Sequence, residues 1–220
     1  KFSQYLCTVF QNRQMSTEIH KVIEREDVRT RIIEGASTLF FRNGIKSVKM
    51  DDIAHELNIS KRTIYEQFSD KEQLLTECLK YIYRELRHHG RTLIKGSSRN
   101  TLDVILILYK IYFDMLKRAN RNFFIDIKKY PQIIKHQQRR EESNNRKFKA
   151  WMQQGIDEGL FREDAKSDIL LYILKRDLEL IIETTDFNTY STDDLGKNFI
   201  LFYLRGIATP KGQQIIEEFI

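Results

Sequence analysis

The stretch KRTIYEQ, residues 61–67, gathers two cations, a hydroxyl, a phenol, a carboxylate and an amide within two helical turns. Polar groups this dense suit recognition of an anionic partner if one face of the helix is left open. The preceding residues bear on that condition. DDIAHELN reads as a short helix that stops at Asn58, and Ser60 then offers an N-cap for a second helix whose first turn exposes Lys61, Arg62 and Thr63. Ala54 is small enough for a close helix crossing, Asn58 tolerates the left-handed turn, and Ile64 supplies a buried aliphatic. Together they predict a helix-turn-helix, a motif whose second helix enters the major groove of DNA with its N-terminal residues toward base edges. An ordinary solvated helix start is the plainer reading of Lys61 and Arg62.

Other chemistry finds little support. The chain has no glycine-rich phosphate loop, no GxSxG elbow and no HExxH pair. His88 and His89 are adjacent, so on a helix they point about 100° apart and do not share a metal as residues four apart would. Cys7 and Cys78 lack metal-ligand neighbours and imply no disulfide framework, which fits a reducing cytoplasm. No enzyme activity, cofactor or metal is expected. The formal net charge of +6 permits an acidic partner but does not locate it. Residues 117–149 hold eleven Lys or Arg against three Asp or Glu, whereas residues 24–75 hold nine against ten. The placement of charge in the helix-turn-helix matters more than its sum, and the basic stretch reads first as a solvated helix face.

The elements around the motif are helical. Ile32, Ile33, Ala36, Leu39 and Phe40 recur at helical spacing over residues 27–43, and Gly44 follows as a C-terminal stop. Met50, Ile53, Ala54 and Leu57 form the inner face of the next helix, and Ile64 and Phe68 that of the one after. SDKE then predicts a capping box with Ser69 as N-cap and Glu72 as its partner. The helix it opens runs through Leu74, Leu75, Cys78, Leu79, Ile82 and Leu86, and Gly90 with residues 95–100 predicts a loop and domain boundary. Beyond it, helices are predicted over 102–116, 132–159, 167–184 and 192–207, with Thr209 and Pro210 as N-cap and N1 of a last short helix. The most apolar run, VILILYKIYF, is too short to span a membrane. The fold class is all-α: an N-terminal extension over 1–23, either mobile or a helix lead-in, with Met15 as a possible native start, a three-helix unit over 24–88, and a helical bundle over 89–220.

Residues 44–75, GIKSVKMDDIAHELNISKRTIYEQFSDKEQLL, resemble the DNA-binding domain of TetR-family transcriptional regulators, and with the preceding helix the resemblance covers roughly residues 26–86. Phe40, Gly44, DIA at 52–54, IS at 59–60, TIYEQF at 63–68 and DKEQLL at 70–75 carry it. Asn58 stands where the family usually has Gly, and Lys49 where Ser or Thr is frequent. The resemblance implies that Lys61, Arg62, Glu66 and Gln67 face the major groove, with Ser60 and Thr63 at the same helix start. It implies that Lys49, Tyr65 and Lys71 touch phosphates. Phosphate contacts position a protein on the duplex and base contacts select the sequence.

For the second half the resemblance implies a small-ligand site and a homodimer interface. Tyr109, Tyr112, Phe113, Phe123, Phe124 and Trp151 are the candidate effector residues, each with plain core as the alternative. Residues 167–207 are apolar on several faces, and Leu174, Leu178, Ile181, Phe199, Phe202 and Gly206 are the candidate dimer residues, a fully internal helix being the competing reading. The expected function is a sequence-specific, cytoplasmic, ligand-released repressor that binds a near-palindromic double-stranded DNA operator. The alternatives are non-sequence-specific DNA binding and a helical interaction module, with an all-helical enzyme behind both.

Overall fold

A computed structural model describes residues 17–97, 100–183 and 190–219, and among these residues every regular element is a helix. The chain runs α1 (Thr17–Asn43), α2 (Met50–Glu56), α3 (Lys61–Gln67), α4 (Lys71–Ser97), α5 (Thr101–Arg118), α6 (Arg121–Ile127), α7 (Pro131–Asp157), α8 (Ser167–Glu183), α9 (Thr192–Ile207) and α10 (Pro210–Phe219). An isolated β-bridge joins Phe161 to Ala208. No helix among the described residues is long and apolar enough to cross a membrane. Met15, Cys7 and the predicted helix end at Thr184 lie outside the described residues.

Two apolar cores hold the chain together. The first gathers Ile32, Ala36 and Phe40 from α1, Met50, Ile53 and Ala54 from α2, Ile64 from α3, and Leu74, Leu75, Cys78 and Leu79 from α4, with Phe68 between. These are positions predicted from helical spacing. The same core also takes Phe123 and Ile127 of α6 and Ile133 of α7, so the second half of the chain reaches into the first. The second core joins Leu102 and Leu106 of α5, Met152 of α7, Leu160 and Phe161, Leu204 and Ala208, and Ile216 of α10. Gly212 admits α10 to it, because a Cβ there would lie 2.3 Å from the Leu160 carbonyl oxygen.

Several predicted boundaries shift. α1 starts at Thr17, inside the segment read as an extension, because residues 17–27 contain neither Gly nor Pro to stop a helix. Gly90 does not end a helix; it is buried within α4, where a Cβ would stand 3.4 Å from Leu108 of α5, so it permits close helix packing. The predicted boundary between residues 88 and 89 therefore falls inside a continuous helix. The N-cap of α4 is Asp70 rather than Ser69. Its Oδ1 accepts from the Gln73 N–H at 2.8 Å, and Gln73 Oε1 accepts from the Ser69 N–H at 2.6 Å, so Gln73 takes the reciprocal place assigned to Glu72. This N–H bond, with the Ser69 hydroxyl, holds the Asp70 carboxyl below its ordinary pKa. The start of α10 is as predicted, with Thr209 Oγ1 accepting from the Gly212 N–H at 3.3 Å. Helix α6 was not predicted.

The second core has a polar clamp. Glu158, at the end of α7, accepts from the Thr101 N–H and hydroxyl, each at 2.9 Å, and so caps the N-terminus of α5. Burial raises its pKa, but the Thr101 and Gln154 hydrogen bonds outweigh this and hold the carboxyl below its ordinary 4.5. A depressed folded pKa gives stability that is complete above the unfolded value and lost as pH falls through the folded one. Glu158→Gln is therefore expected to cost about 1–3 kcal/mol at pH 7. The gap to wild type should narrow toward pH 3 in thermal melts followed by circular dichroism; a gap independent of pH would show that the carboxylate's charge plays no part.

Candidate nucleic-acid interface

The break between α2 and α3 is a complete Schellman turn. The Ile59 N–H donates to the Ala54 carbonyl at 3.0 Å and the Asn58 N–H to the His55 carbonyl at 3.2 Å. Asn58 takes the left-handed conformation this requires, with φ of 52°. Ser60 then caps α3, its Oγ accepting from the Thr63 N–H at 3.0 Å. Gly44, with φ of 84°, ends α1 with the simpler left-handed turn, in which its N–H alone reaches back to the Phe40 carbonyl.

Helix α3 is seven residues long and buries only Ile64, with Phe68 buried just past its end. Its outer face carries Lys61, Arg62, Tyr65 and Glu66, all exposed. Tyr65 is among the exposed large hydrophobic residues, at 47% of its surface. Thr63 and Gln67 are half-buried, and the Thr63 hydroxyl lies 2.8 Å from that of Ser60, within the cap. Lys49 is exposed just before α2, its N–H held by Asp52 at 2.7 Å. Eight of the nine residues singled out from the sequence, Lys49, Ser60, Lys61, Arg62, Thr63, Tyr65, Glu66 and Gln67, thus fall on or next to α2 and α3.

Lys71 is the exception in orientation. Its Nζ donates to the Ile45 carbonyl at 2.6 Å and stands 5.7 Å from the centre of the Phe40 ring. Burial lowers its pKa, against the pull of Asp126 and Asp52. In this structure Lys71 ties α4 to the turn after α1 and does not reach outward to a phosphate.

Sequence reasoning missed two residues that hold the interface. Arg29 of α1 donates from Nη1 to the Gln67 carbonyl at 2.7 Å and places its guanidinium 4.4 Å from the centre of the Phe68 ring. It closes the C-terminal end of α3 from 38 positions away, a distance at which sequence spacing carries no signal. Asp126 of α6, itself buried, accepts from the Lys46 N–H at 2.7 Å and from Lys129 Nζ at 2.7 Å. Burial raises its pKa, but these donors leave it below the ordinary 3.8. A lone Asp in a basic stretch, 117–149, was the only visible hint.

Residues 32–78 match the family described as "Bacterial regulatory proteins, tetR family", a span that covers this helix-turn-helix with the end of α1 before it and the start of α4 after it. The chain is a DNA-binding transcriptional regulator whose residues 32–78 form a TetR-family domain. It is 23% identical over 194 residues to the HTH-type transcriptional repressor KstR2 of Rhodococcus jostii, across 83% of this chain and 92% of that one. The structure of KstR2 of Mycobacterium tuberculosis superposes with a TM-score of 0.61 at 20% identity, covering 82% of the regulator and 95% of that chain. A transcriptional regulator from Saccharomonospora viridis in complex with choline superposes with a TM-score of 0.69 at 19% identity, covering 84% and 99%. At these identities the superpositions establish the fold alone, all-helical, with a helix-turn-helix ahead of a helical second half.

The candidate residues of that second half divide. Phe123 is buried in the first core, edge-on to Phe41 at 5.5 Å between ring centres, and Phe124 packs against the same core. Tyr109 and Tyr112 both contact Phe113 within α5, at 4.6 and 5.9 Å between ring centres. Burial pushes the Tyr112 phenol up to about 12. Trp151 on α7 is half-buried. Phe202 is 74% exposed and Gly206 is exposed, while Phe199 is half-buried. Leu174, Leu178 and Ile181 are half-buried on the side of α8 opposite Ile169, Tyr172 and Leu180, which carry its exposed apolar surface.

The ties at the two ends of α3 can be tested by substitution. Ser60→Ala is expected to cost about 1 kcal/mol and Arg29→Met about 1–3 kcal/mol. Hydrogen exchange at the Phe68 amide, which bonds to the Ile64 carbonyl, should quicken in Arg29→Met relative to amides of α5. Unchanged exchange there would show that α3 is held some other way.

Proposed function

We propose that the regulator is a homodimeric repressor that reads a near-palindromic operator through α3 and is released by a small-molecule effector bound in its second half. The observation that carries this reading is the outer face of α3, where Lys61, Arg62, Tyr65 and Glu66 stand exposed while the rest of the helix is fastened inward. Arg and Lys at such a face pair with guanine O6 and N7, and Glu66 accepts from cytosine N4. Lys49 and Tyr65 supply phosphate contacts. The helices around the first core form the DNA-reading unit and the second half the effector and dimer unit, with α4 running unbroken between them. The cytoplasm is the compartment such a protein works in.

The apolar surface left open on α8 and α9 supports the dimer. Ile200, Leu204 and Ile207 of α9 turn toward the second core, while Phe202 and Gly206 face out. An apolar stripe of this kind beside exposed Ile169, Tyr172 and Leu180 suits a twofold four-helix contact. A dimer sets two copies of α3 roughly 34–36 Å apart, one turn of DNA. The aromatic group of Tyr109, Tyr112 and Phe113, with Trp151, supplies the effector wall. An effector weakens operator binding only by as much as it prefers one spacing of the reading helices over another.

Selection of duplexes from a random pool, at about 0.15 M salt, should enrich an inverted repeat whose half-sites are about one helical turn apart. Enrichment of no sequence would reject a specific regulator in favour of non-specific DNA binding. Phe202→Glu should convert the dimer to monomers in sedimentation and weaken binding to the selected duplex by more than about ten-fold, since one half-site contact is lost. A wild-type protein that is already monomeric at micromolar concentration would overturn the dimer.

A further inference from the structure

Both cations of the reading helix are already paired in the DNA-free protein. Lys61 Nζ lies 2.7 Å from Asp51 Oδ2, and Arg62 Nε lies 3.0 Å from Glu66 Oε1. The two pairs differ in kind. Arg62 and Glu66 are neighbours four apart on α3, an arrangement that any exposed helix makes. Asp51 and Lys61 belong to different helices and meet because the turn at Asn58 folds α3 back across the start of α2. Asp51 therefore restrains where Lys61 points relative to the whole motif. Both partners remain open to solvent, with 47% and 63% of their side-chain surface exposed, so the pair is within reach of an approaching duplex.

The charge of the surrounding surface gives this pair a consequence. Between residues 49 and 67 the chain has three cations, Lys49, Lys61 and Arg62, against four carboxylates, Asp51, Asp52, Glu56 and Glu66. Attraction to phosphates of any sequence is the main source of non-specific DNA binding. A face that neutralises its own cations has little of it. For Lys61 to join a phosphate, Asp51 must be left uncovered beside a polyanion, where it repels the DNA or recruits a cation from solution. That recruited cation cancels one counterion released from the duplex. A Lys61 that stays with Asp51 can still donate its remaining protons to a guanine edge, since an ammonium has three.

We propose that Asp51 is a positioning residue for DNA reading: it holds Lys61 away from the phosphate backbone and so raises the ratio of specific to non-specific binding. This rests on sequence-specific reading by α3. The test compares Asp51→Asn with wild type on two duplexes, one selected from a random pool by the wild-type protein and one scrambled from it. With duplexes of about 30 base pairs at about 0.15 M salt, Asp51→Asn is expected to bind the scrambled duplex about two- to five-fold more tightly. The slope of log K against log salt should steepen by up to about 0.9. The ratio of affinities for the selected and scrambled duplexes should fall. In a Lys61→Gln background the same substitution should change scrambled-duplex binding by less than half as much, because the effect acts through Lys61. Circular dichroism melts check that each variant is folded, and Asp51→Ser, which keeps a short polar residue in the first turn, should behave alike. Unchanged scrambled-duplex affinity and slope in a folded variant overturn the proposal, as does an equal gain in the Lys61→Gln background. A wild-type protein that selects no sequence fails at an earlier step and overturns the reading beneath it.

Discussion

A helix of seven residues does not persist in water on its own hydrogen bonds, because nucleating it costs more than so few bonds return. Helix α3 exists because the rest of the first core constructs it. Ile64 and Phe68 fasten one side, the Ser60 hydroxyl closes its first turn, and the Arg29 guanidinium closes its last carbonyl. The outer side is then left out of the core, which is why Lys61, Arg62, Tyr65 and Glu66 stand exposed together there. Every element of the N-terminal half serves this one short helix. α1 brings Arg29, α2 and its Schellman turn set the crossing, and α4 closes the core behind it.

The same dependence joins the two halves. α6 sits between them, with Phe123 and Ile127 in the first core and Asp126 bonded to the Lys46 N–H after α1. Asn120, just before α6, donates its N–H to the Phe41 carbonyl at 2.7 Å. At its start Arg121 reaches the carbonyl of Ile182 near the end of α8. A shift of α6 must therefore move the turn at residues 44–46, and Lys71 with it, since Lys71 is bonded to Ile45. Such a packed contact favours discrete arrangements over gradual deformation, which suits a two-state response. It also explains why the boundary read at residue 88 has no counterpart in the backbone: α4 runs unbroken from the first core to the second half.

What the sequence made legible was local. Helical spacing revealed Ile32, Ala36, Phe40, Ile53, Ile64 and Phe68 as core, and turn chemistry revealed Asn58, Gly44 and Ser60, because each of these acts within a few residues of itself. The misreadings share a cause. Gly90 looked like a stop because its real reason, the approach of Leu108, lies on another helix. Ser69 and Asp70 both suit an N-cap, and only the Gln73 geometry separates them. Arg29, Asp126 and Asp51 passed unnoticed because their partners are fixed by tertiary structure. Phe123 read either as a ligand-wall aromatic or as plain core, and α6 carries it into the first core. On α8 apolar residues fall on several faces, so the pattern alone did not separate Leu174, Leu178 and Ile181 from the exposed Ile169, Tyr172 and Leu180.

Charge alone would send DNA elsewhere. Residues 117–149 are the most basic part of the chain, whereas the helix-turn-helix is close to neutral. That the duplex meets the neutral face and not the basic one is the central claim, and amide chemical shifts measured while a selected duplex is added to isotope-labelled protein test it most directly. Shifts concentrated at residues 49–67, with those of 128–135 and 141–149 moving only slightly, are the predicted result. Shifts concentrated on the basic residues of α7, with α3 unmoved, would contradict it.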